Sequence, residues 1–161
     1  MSDKDLSNHR PNVGVVLFHP DGRVWLGRRR GVRQYGWQFP QGGVDEGEDH
    51  QAAALRELYE ETGVRSVTLL GRTDGWIWYD FPPEVLAQPN TRNFAGQKQV
   101  WFAFRFDGEE SEIDLYAVPP QEFDRWRWGT LDEAVDGVVA FKRNAYRQVA
   151  DAFRRFERGG G

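Results

Sequence analysis

Residues 42–64 read GGVDEGEDHQAAALRELYEETGV. A glycine pair, a lone glutamate and an Arg-Glu-Leu-Tyr-Glu-Glu run fall in it at fixed spacing, G-x5-E-x7-R-E-L-x-E-E-x-G-V, filled by Gly42, Glu48, Arg56, Glu57, Leu58, Glu60, Glu61, Gly63 and Val64. Residues 45–49 supply acidic side chains for a helix start, and Gly63 stands where a C-cap glycine stops one. At about 100° per residue, with Ala52 as zero, Leu55 and Tyr59 fall within roughly 60° of it, while Glu60, Glu57 and Glu61 lie at about 80°, 140° and 180°. The expected helix therefore has an apolar face of Ala52, Leu55 and Tyr59 and an opposite face of three carboxylates. Glutamates at i, i+3 and i+4 are neighbours, and each like-charged pair costs on the order of 0.2–0.5 kcal/mol. Arg56 can pair with Glu60, which leaves two acids uncompensated. A hard divalent cation with oxygen ligands would offset the rest, and Mg²⁺ suits a site that keeps waters and bridges to phosphates. The alternative is a solvated acidic helix face. Joint occupancy of the nine spaced positions favours the metal site.

Outward from that segment, composition sets the class. A chain of 161 residues, 39% hydrophobic with seven Trp and eleven Phe, fits one domain with a sizeable core. With no cysteine there is no disulfide framework and no zinc-thiolate site, and His9, His19 and His50 are scattered, so oxygen-ligand chemistry remains. No run approaches the roughly 18 apolar residues of a membrane span, and residues 1–10 are polar, so a soluble cytoplasmic protein without membrane contact is expected. The net charge of −4 argues against non-specific coating of nucleic acid. Basic residues are nevertheless clustered: Arg23, Arg28, Arg29, Arg30 and Arg33 crowd into eleven residues, and Lys142, Arg143, Arg147, Arg154, Arg155 and Arg158 populate the C-terminal segment. Local cations beside an acidic metal site suit a polyanionic substrate. Beyond Arg147, ordinary surface charge is the preferred reading.

Residues 13–18 and 23–27 read as a hairpin around His-Pro-Asp-Gly. Trp37-Gln38-Phe39-Pro40 reads as a short strand that Pro40 ends before the glycine pair. Residues 67–70 and 76–79 are further strands around an Asp74-Gly75 turn. Residues 81–97, with three prolines and two asparagines, form a loop long enough to suggest function. Residues 99–106 should be a central strand buried on both sides. Thr130-Leu-Asp-Glu133 is a capping-box signature, and Phe141, Ala145, Val149 and Phe153 recur at helical spacing. Gly159–Gly161 would be a frayed tail. A mixed sheet with helices on its faces is the layered solution these elements imply.

The fixed pattern at 42–64 resembles the complete Nudix box. Outside it, Arg10-Pro-Asn-Val-Gly14, Trp37-Gln-Phe-Pro-Gln-Gly-Gly43, Gly96-Gln-Lys-Gln99 with Trp101-Phe102, Glu122-Phe-Asp124 with Trp126 and Trp128, and Phe141-Lys-Arg143 with Tyr146 resemble the bacterial RNA pyrophosphohydrolase branch of the Nudix superfamily, closely related to diadenosine tetraphosphate hydrolases of the same type. The resemblance runs from about residue 10 to 153. It implies a single Nudix-type α/β/α sandwich over 1–161, core about 10–157, with a mixed β-sheet. The implied cofactor is Mg²⁺, with Mn²⁺ or another divalent cation as alternatives.

Carried over by position, Glu57, Glu60, Glu61, Glu122 and the Gly42 carbonyl would hold metal. Glu57, with Glu122 next, would take the proton from the attacking water, and Arg56 would orient the acids. Glu48 is given a structural role outside the metal's own ligands. Substrate contacts fall to Arg10, Arg29, Trp37, Tyr79, Gln97, Lys98, Phe141 and Lys142, while Trp101 is read as core. The implied activity is metal-dependent hydrolysis of the 5′-triphosphate or diphosphate end of RNA to a monophosphate, a step in RNA 5′-end processing and mRNA decay. Its nearest rival is asymmetric hydrolysis of diadenosine tetraphosphate. A non-catalytic nucleotide- or RNA-binding Nudix module is the rival of another class, disfavoured because every box acid is present. A sanitiser of damaged nucleoside triphosphates ranks last. No protein partner is legible.

Overall fold

Alternation along two long strands divides the core. The computed structural model describes residues 4–31, 36–88 and 93–158. The expectations for Arg33, for the middle of the 81–97 segment and for Gly159–Gly161 lie outside the described residues, as does the Arg158 side chain. Strand β1, His9–Phe18, runs parallel to β7, Gly96–Phe106, in unbroken register from His9↔Gly96 to Phe18↔Arg105. Side chains of a strand point to opposite faces in turn. Val13, Val15, Leu17, Val100, Phe102 and Phe104 therefore enter one core layer, and Val16, Phe18, Trp101 and Ala103 enter the other. β7 is the central strand buried on both sides, and Trp101 is fully buried in it.

Among the described residues, the remaining strands complete a mixed sheet of eight. β2, Val24–Arg29, follows β1 as the expected hairpin and pairs along its other edge with β8, Phe123–Gly129. β5, Val67–Arg72, and β6, Ile77–Asp80, lie antiparallel to β7, one beyond the other on the same edge, so the Asp74-Gly75 turn moves the chain along β7. The strand expected at Trp37–Pro40 ends at Gln38, and a second strand follows beyond Pro40. β3, Trp37–Gln38, pairs with β2, and β4, Gln41–Gly43, pairs with the first half of β1. Pro40 cannot donate a backbone hydrogen bond, but its carbonyl accepts from Val15 N–H at 2.9 Å, and the chain re-enters the sheet beyond it. Within 81–97, Pro83–Leu86 forms the short helix α2, and Gly96–Gln97 already belongs to β7.

Helices cover both faces. α1, His50–Thr62, packs on the Val13/Phe102 layer, whereas α3, Leu131–Gly137, and α4, Arg143–Phe153, pack on the Trp101 layer. The Thr130 hydroxyl caps α3 by accepting from Glu133 N–H at 3.0 Å. Asp49 caps α1 by accepting from Ala52 N–H at 3.1 Å, and Gly63 ends it at φ 80°, a left-handed conformation that suits glycine.

The apolar face expected for α1 is not the one that docks. Ala52 and Leu55 are exposed and Tyr59 is half-buried, with the Arg65 guanidinium 4.0 Å from its ring centroid. Ala53, Ala54, Leu58 and Thr62 are buried instead, and Glu61 with them. The segment carries apolar residues on both candidate stripes, and the pair of small alanines lets the helix approach the sheet closely. Glu61 lies about 60° from Leu58 on the helix. The acidic face therefore adjoins the packed face, and one acid is carried inside.

Candidate active site

β4 leads into α1, which turns the acid row of the helix over the strand glycines. A Cβ built on Gly42 would lie 2.0 Å from the carboxyl carbon of Glu57, so only hydrogen fits beneath that side chain. A Cβ on Gly43 would lie 2.5 Å from Arg10 Nη2. The two glycines thus bring a carboxylate and a guanidinium against one stretch of backbone.

Arg56 gathers the acids around it. Its Nε donates to Glu48 Oε2 at 2.8 Å, and its Nη2 donates to Glu48 Oε1 and to the Gly43 carbonyl, each at 2.9 Å. Nη1 donates to Glu57 Oε1 at 2.8 Å and Glu60 Oε2 at 3.3 Å. Glu48 also accepts from Asp45 N–H at 3.0 Å, and with Arg56 this holds its carboxyl down at about 2. That fits the structural role expected of it. The expectation that Arg56 satisfies a single acid of the triad is corrected: a planar guanidinium has five donors in a fork, and here it reaches two, leaving Glu61 beyond it.

Glu61 and Glu57 are the perturbed pair. Burial raises the Glu61 carboxyl well above the usual carboxylate range, with Glu57 and Glu122 adding to the rise, while Arg29 and the Gln41 backbone N–H pull against it. Glu61 Oε2 is buried without a hydrogen-bond partner. Burial also pushes Glu57 up to about 7, against the pull of Arg56 and with the help of Glu60 and Glu122. A buried carboxylate oxygen normally has a partner, and a cation is the group that would stabilise two adjacent acids in charged form. The donor set therefore fits a hard divalent ion. Among the described residues no three acidic or histidine side chains close into a ready cage. The acids frame a cleft instead, an arrangement suited to an ion that keeps waters and shares phosphate oxygens.

That cleft, about 330 Å³, brings together Gly42, Glu57, Glu60, Glu61 and Glu122 with Arg10, Arg29 and Gln97. Glu122 comes from the turn into β8, where its carbonyl accepts from Arg30 N–H at 2.8 Å. Tyr79 stands behind the cleft, donating its hydroxyl to Gln97 Oε1 at 2.7 Å, and Phe141 packs 5.7 Å from the Tyr79 ring. Lys142 is buried beside them. Burial and Arg29 pull its ammonium down to about 8 while Glu61 opposes the shift.

Of the expected substrate residues, Tyr79, Phe141 and Lys142 pack behind the cleft without lining it, and two more lie elsewhere. Lys98 follows Gln97 on β7 and so takes the other face of the sheet, where its Nζ lies 5.0 Å from the Trp76 ring centroid. Trp37 lines a different cleft, with the Arg127 guanidinium 5.0 Å from its ring centroid. Of the C-terminal arginines beyond Arg147, Arg154 and Arg155 are surface charge as read: Arg154 pairs with Asp132 at 3.2 Å, and Arg155 lies over Phe156.

Residue-by-residue reading missed a chain of amides behind the acids. Gln99 Nε2 donates to Asn12 Oδ1 at 2.9 Å, and Trp101 Nε1 donates to Gln99 Oε1 at 3.0 Å. Gln41 reaches Tyr79 Oη and Gln97 Oε1, each at 3.4 Å. The available signal was an amide at positions 12, 41, 97 and 99, each in or beside a strand. Buried amides need partners, and here they find one another.

A NUDIX domain family model matches residues 8–150. The chain belongs to the NUDIX family. This NUDIX chain is 67% identical over 161 residues to the RNA pyrophosphohydrolase of Caulobacter vibrioides, covering 99% of this chain and 94% of that one. To the RNA pyrophosphohydrolase of Rhizobium meliloti it is 45% identical over 168 residues, covering 98% and 100%. Among solved structures its fold is similar to that of the E. coli dihydroneopterin triphosphate pyrophosphohydrolase, with TM-score 0.65, 20% identity and 89% and 98% coverage. A C. elegans Ap4A hydrolase is similar at TM-score 0.60, 17% identity and 89% and 98% coverage. At those identities the likeness concerns the fold. No helix among the described residues is long and apolar enough to cross a membrane.

Proposed function

We propose that this chain is a hydrolase of phosphoanhydride bonds that converts the 5′-triphosphate or diphosphate end of RNA to a 5′-monophosphate. The observation that carries the reading is the single cleft in which Glu57, Glu60, Glu61 and Glu122 face Arg10, Arg29 and Gln97. Acids without cations would repel a polyphosphate, and cations without acids would bind it without activating water. The likeness to the named RNA pyrophosphohydrolases supports RNA as the substrate.

Glu57, Glu60, Glu61, Glu122 and the Gly42 carbonyl are the ligands we assign to a divalent cation, Mg²⁺ by preference. Such an ion supplies charge screening at the phosphates and lowers the pKa of a bound water. The side chains do the rest. Arg10 and Arg29 hold phosphate oxygens by charge-assisted hydrogen bonds. Glu57, facing the cleft, accepts the proton of the attacking water. Arg56 fixes Glu57 and Glu60 in place from behind. Gln97 lines the cleft beside them, and Tyr79, buried behind it, holds Gln97 in place through its hydroxyl. An RNA substrate puts this work in the cytoplasm.

Phosphate release from 5′-triphosphorylated RNA with Mg²⁺, measured beside hydrolysis of diadenosine tetraphosphate, tests the reading. A rate on RNA at least equal to that on the dinucleotide is expected. Negligible release from RNA would overturn the substrate. Activity no greater than that of Glu57→Gln on any polyphosphate would overturn the enzyme.

A further inference from the structure

We infer that a second cleft, linked to the first by the chain that leads into β8, binds RNA nucleotides downstream of the 5′ end; this rests on the RNA reading above and says where the rest of that substrate runs. The cleft encloses about 620 Å³ and is lined by Trp37, Ile113, Leu115, Tyr116, Arg125 and Trp126. Three aromatic rings and an exposed guanidinium match what unpaired bases need: flat apolar faces for stacking and a cation for the backbone. Tyr116 is 75% exposed, so core packing does not explain an aromatic ring there. One acid of the cleft, Asp124, is paired with a cation, and the other, Asp114, turns one oxygen to the backbone. Arg28 Nε donates to Asp124 at 3.0 Å, and Asp114 Oδ1 accepts from Tyr116 N–H at 2.9 Å.

The chain before β8 connects the clefts. Ile113 to Tyr116 border the second cleft, Val118 to Pro120 lie against Glu57, Glu60 and Glu61, and Glu122 borders the first. A strand whose 5′ phosphates lie among the acids can thus pass along this segment onto Tyr116 and the rings that line the second cleft with it.

The test compares a 5′-triphosphorylated dinucleotide with a 5′-triphosphorylated octanucleotide, using the unmodified chain and a Tyr116→Ala/Arg125→Ala variant, both changes lying on exposed side chains. The variant should raise KM for the octanucleotide roughly tenfold, leave kcat unchanged and leave KM for the dinucleotide unchanged. A 5′-hydroxyl octanucleotide with 4-thiouridine at its third to fifth positions should crosslink to peptides holding Tyr116 or Trp126, whether or not the chain hydrolyses RNA. Equal KM changes for the two lengths, no change for either, or crosslinks confined to other peptides would overturn the second cleft as an RNA site. Absence of phosphate release from any triphosphorylated RNA would instead overturn the hydrolytic reading, with the crosslink still deciding the cleft. Crosslinks that appear elsewhere, together with capture of a peptide by Tyr116 and Trp126, would assign the cleft to a protein partner and refute the RNA assignment.

Discussion

A Cβ on Gly42 would lie 2.0 Å from the Glu57 carboxyl carbon. The glycine is therefore the floor of the acid's position, and adding a methyl group should displace the carboxylate without unpacking the helix. Gly42→Ala is expected to lower kcat on triphosphorylated RNA by about 10- to 100-fold, the range for disturbing a group that orients a metal ligand. Its melting temperature should stay close to that of the parent, because the clash meets the end of a side chain. An unchanged kcat would show that Glu57 tolerates the shift and is misassigned.

Arg56 spans Glu48, Glu57, Glu60 and the Gly43 carbonyl through one planar fork. Lysine keeps the charge but cannot make those contacts together. Arg56→Lys should cost roughly 1–3 kcal/mol in urea unfolding, as for lost hydrogen bonds to charged groups, and should reduce kcat more than it raises KM. Parent-like stability and kcat in this variant would remove the bridging role.

The raised pKa values of Glu57, about 7, and of Glu61 set a pH dependence with a definite sign. Above the ordinary glutamate range the folded chain holds protons that the unfolded chain has released, so their contribution is full below about pH 4.5, and that of Glu57 is lost as pH rises through about 7. Glu48 and Asp21, both lowered to about 2, act only at more acidic pH. The lowered Lys142, at about 8, acts above the window. In EDTA the melting temperature should therefore fall from pH 5 to 7.5, and Glu57→Gln should flatten the slope. Mg²⁺ should raise the melting temperature more at pH 8 than at pH 5.5, where protons compete for the same oxygens. A flat profile that Mg²⁺ does not alter would contradict the assignment of these acids.

The docked face of α1 separates two leucines three residues apart. Leu58 is fully buried, whereas Leu55 is 38% exposed. Leu58→Ala should cost about 2–5 kcal/mol, and Leu55→Lys should stay within about 0.5 kcal/mol of the parent, both read from urea midpoints. The reverse ranking would restore the face centred on Ala52, Leu55 and Tyr59.

The box residues were legible because their roles are local. Asp49 and Gly63 act through the first and last turns of α1, and Arg56 meets Glu60 one helical turn on. β7 was legible because both its faces are apolar. The docked face of α1 was not, since residues 52–55 carry apolar side chains on either candidate stripe. Nor was the division of Gln97 from Lys98, since which face of a strand meets a site depends on what packs beside it. β4 escaped because three residues beyond a proline carry no periodicity, and only pairing with β1 makes them a strand.

By itself the sequence determined the α1 helix with its caps, the row of Glu57, Glu60 and Glu61 and the attendant Arg56, because spacing along a helix fixes which side chains are neighbours. Only the tertiary structure decided that Glu61 is buried with an oxygen unpartnered, that Glu57 rests on Gly42, and that Glu122 joins them across 61 residues of chain from Glu61. Burial and long-range convergence arise from packing between layers, and no local spacing specifies which face a neighbouring layer will cover.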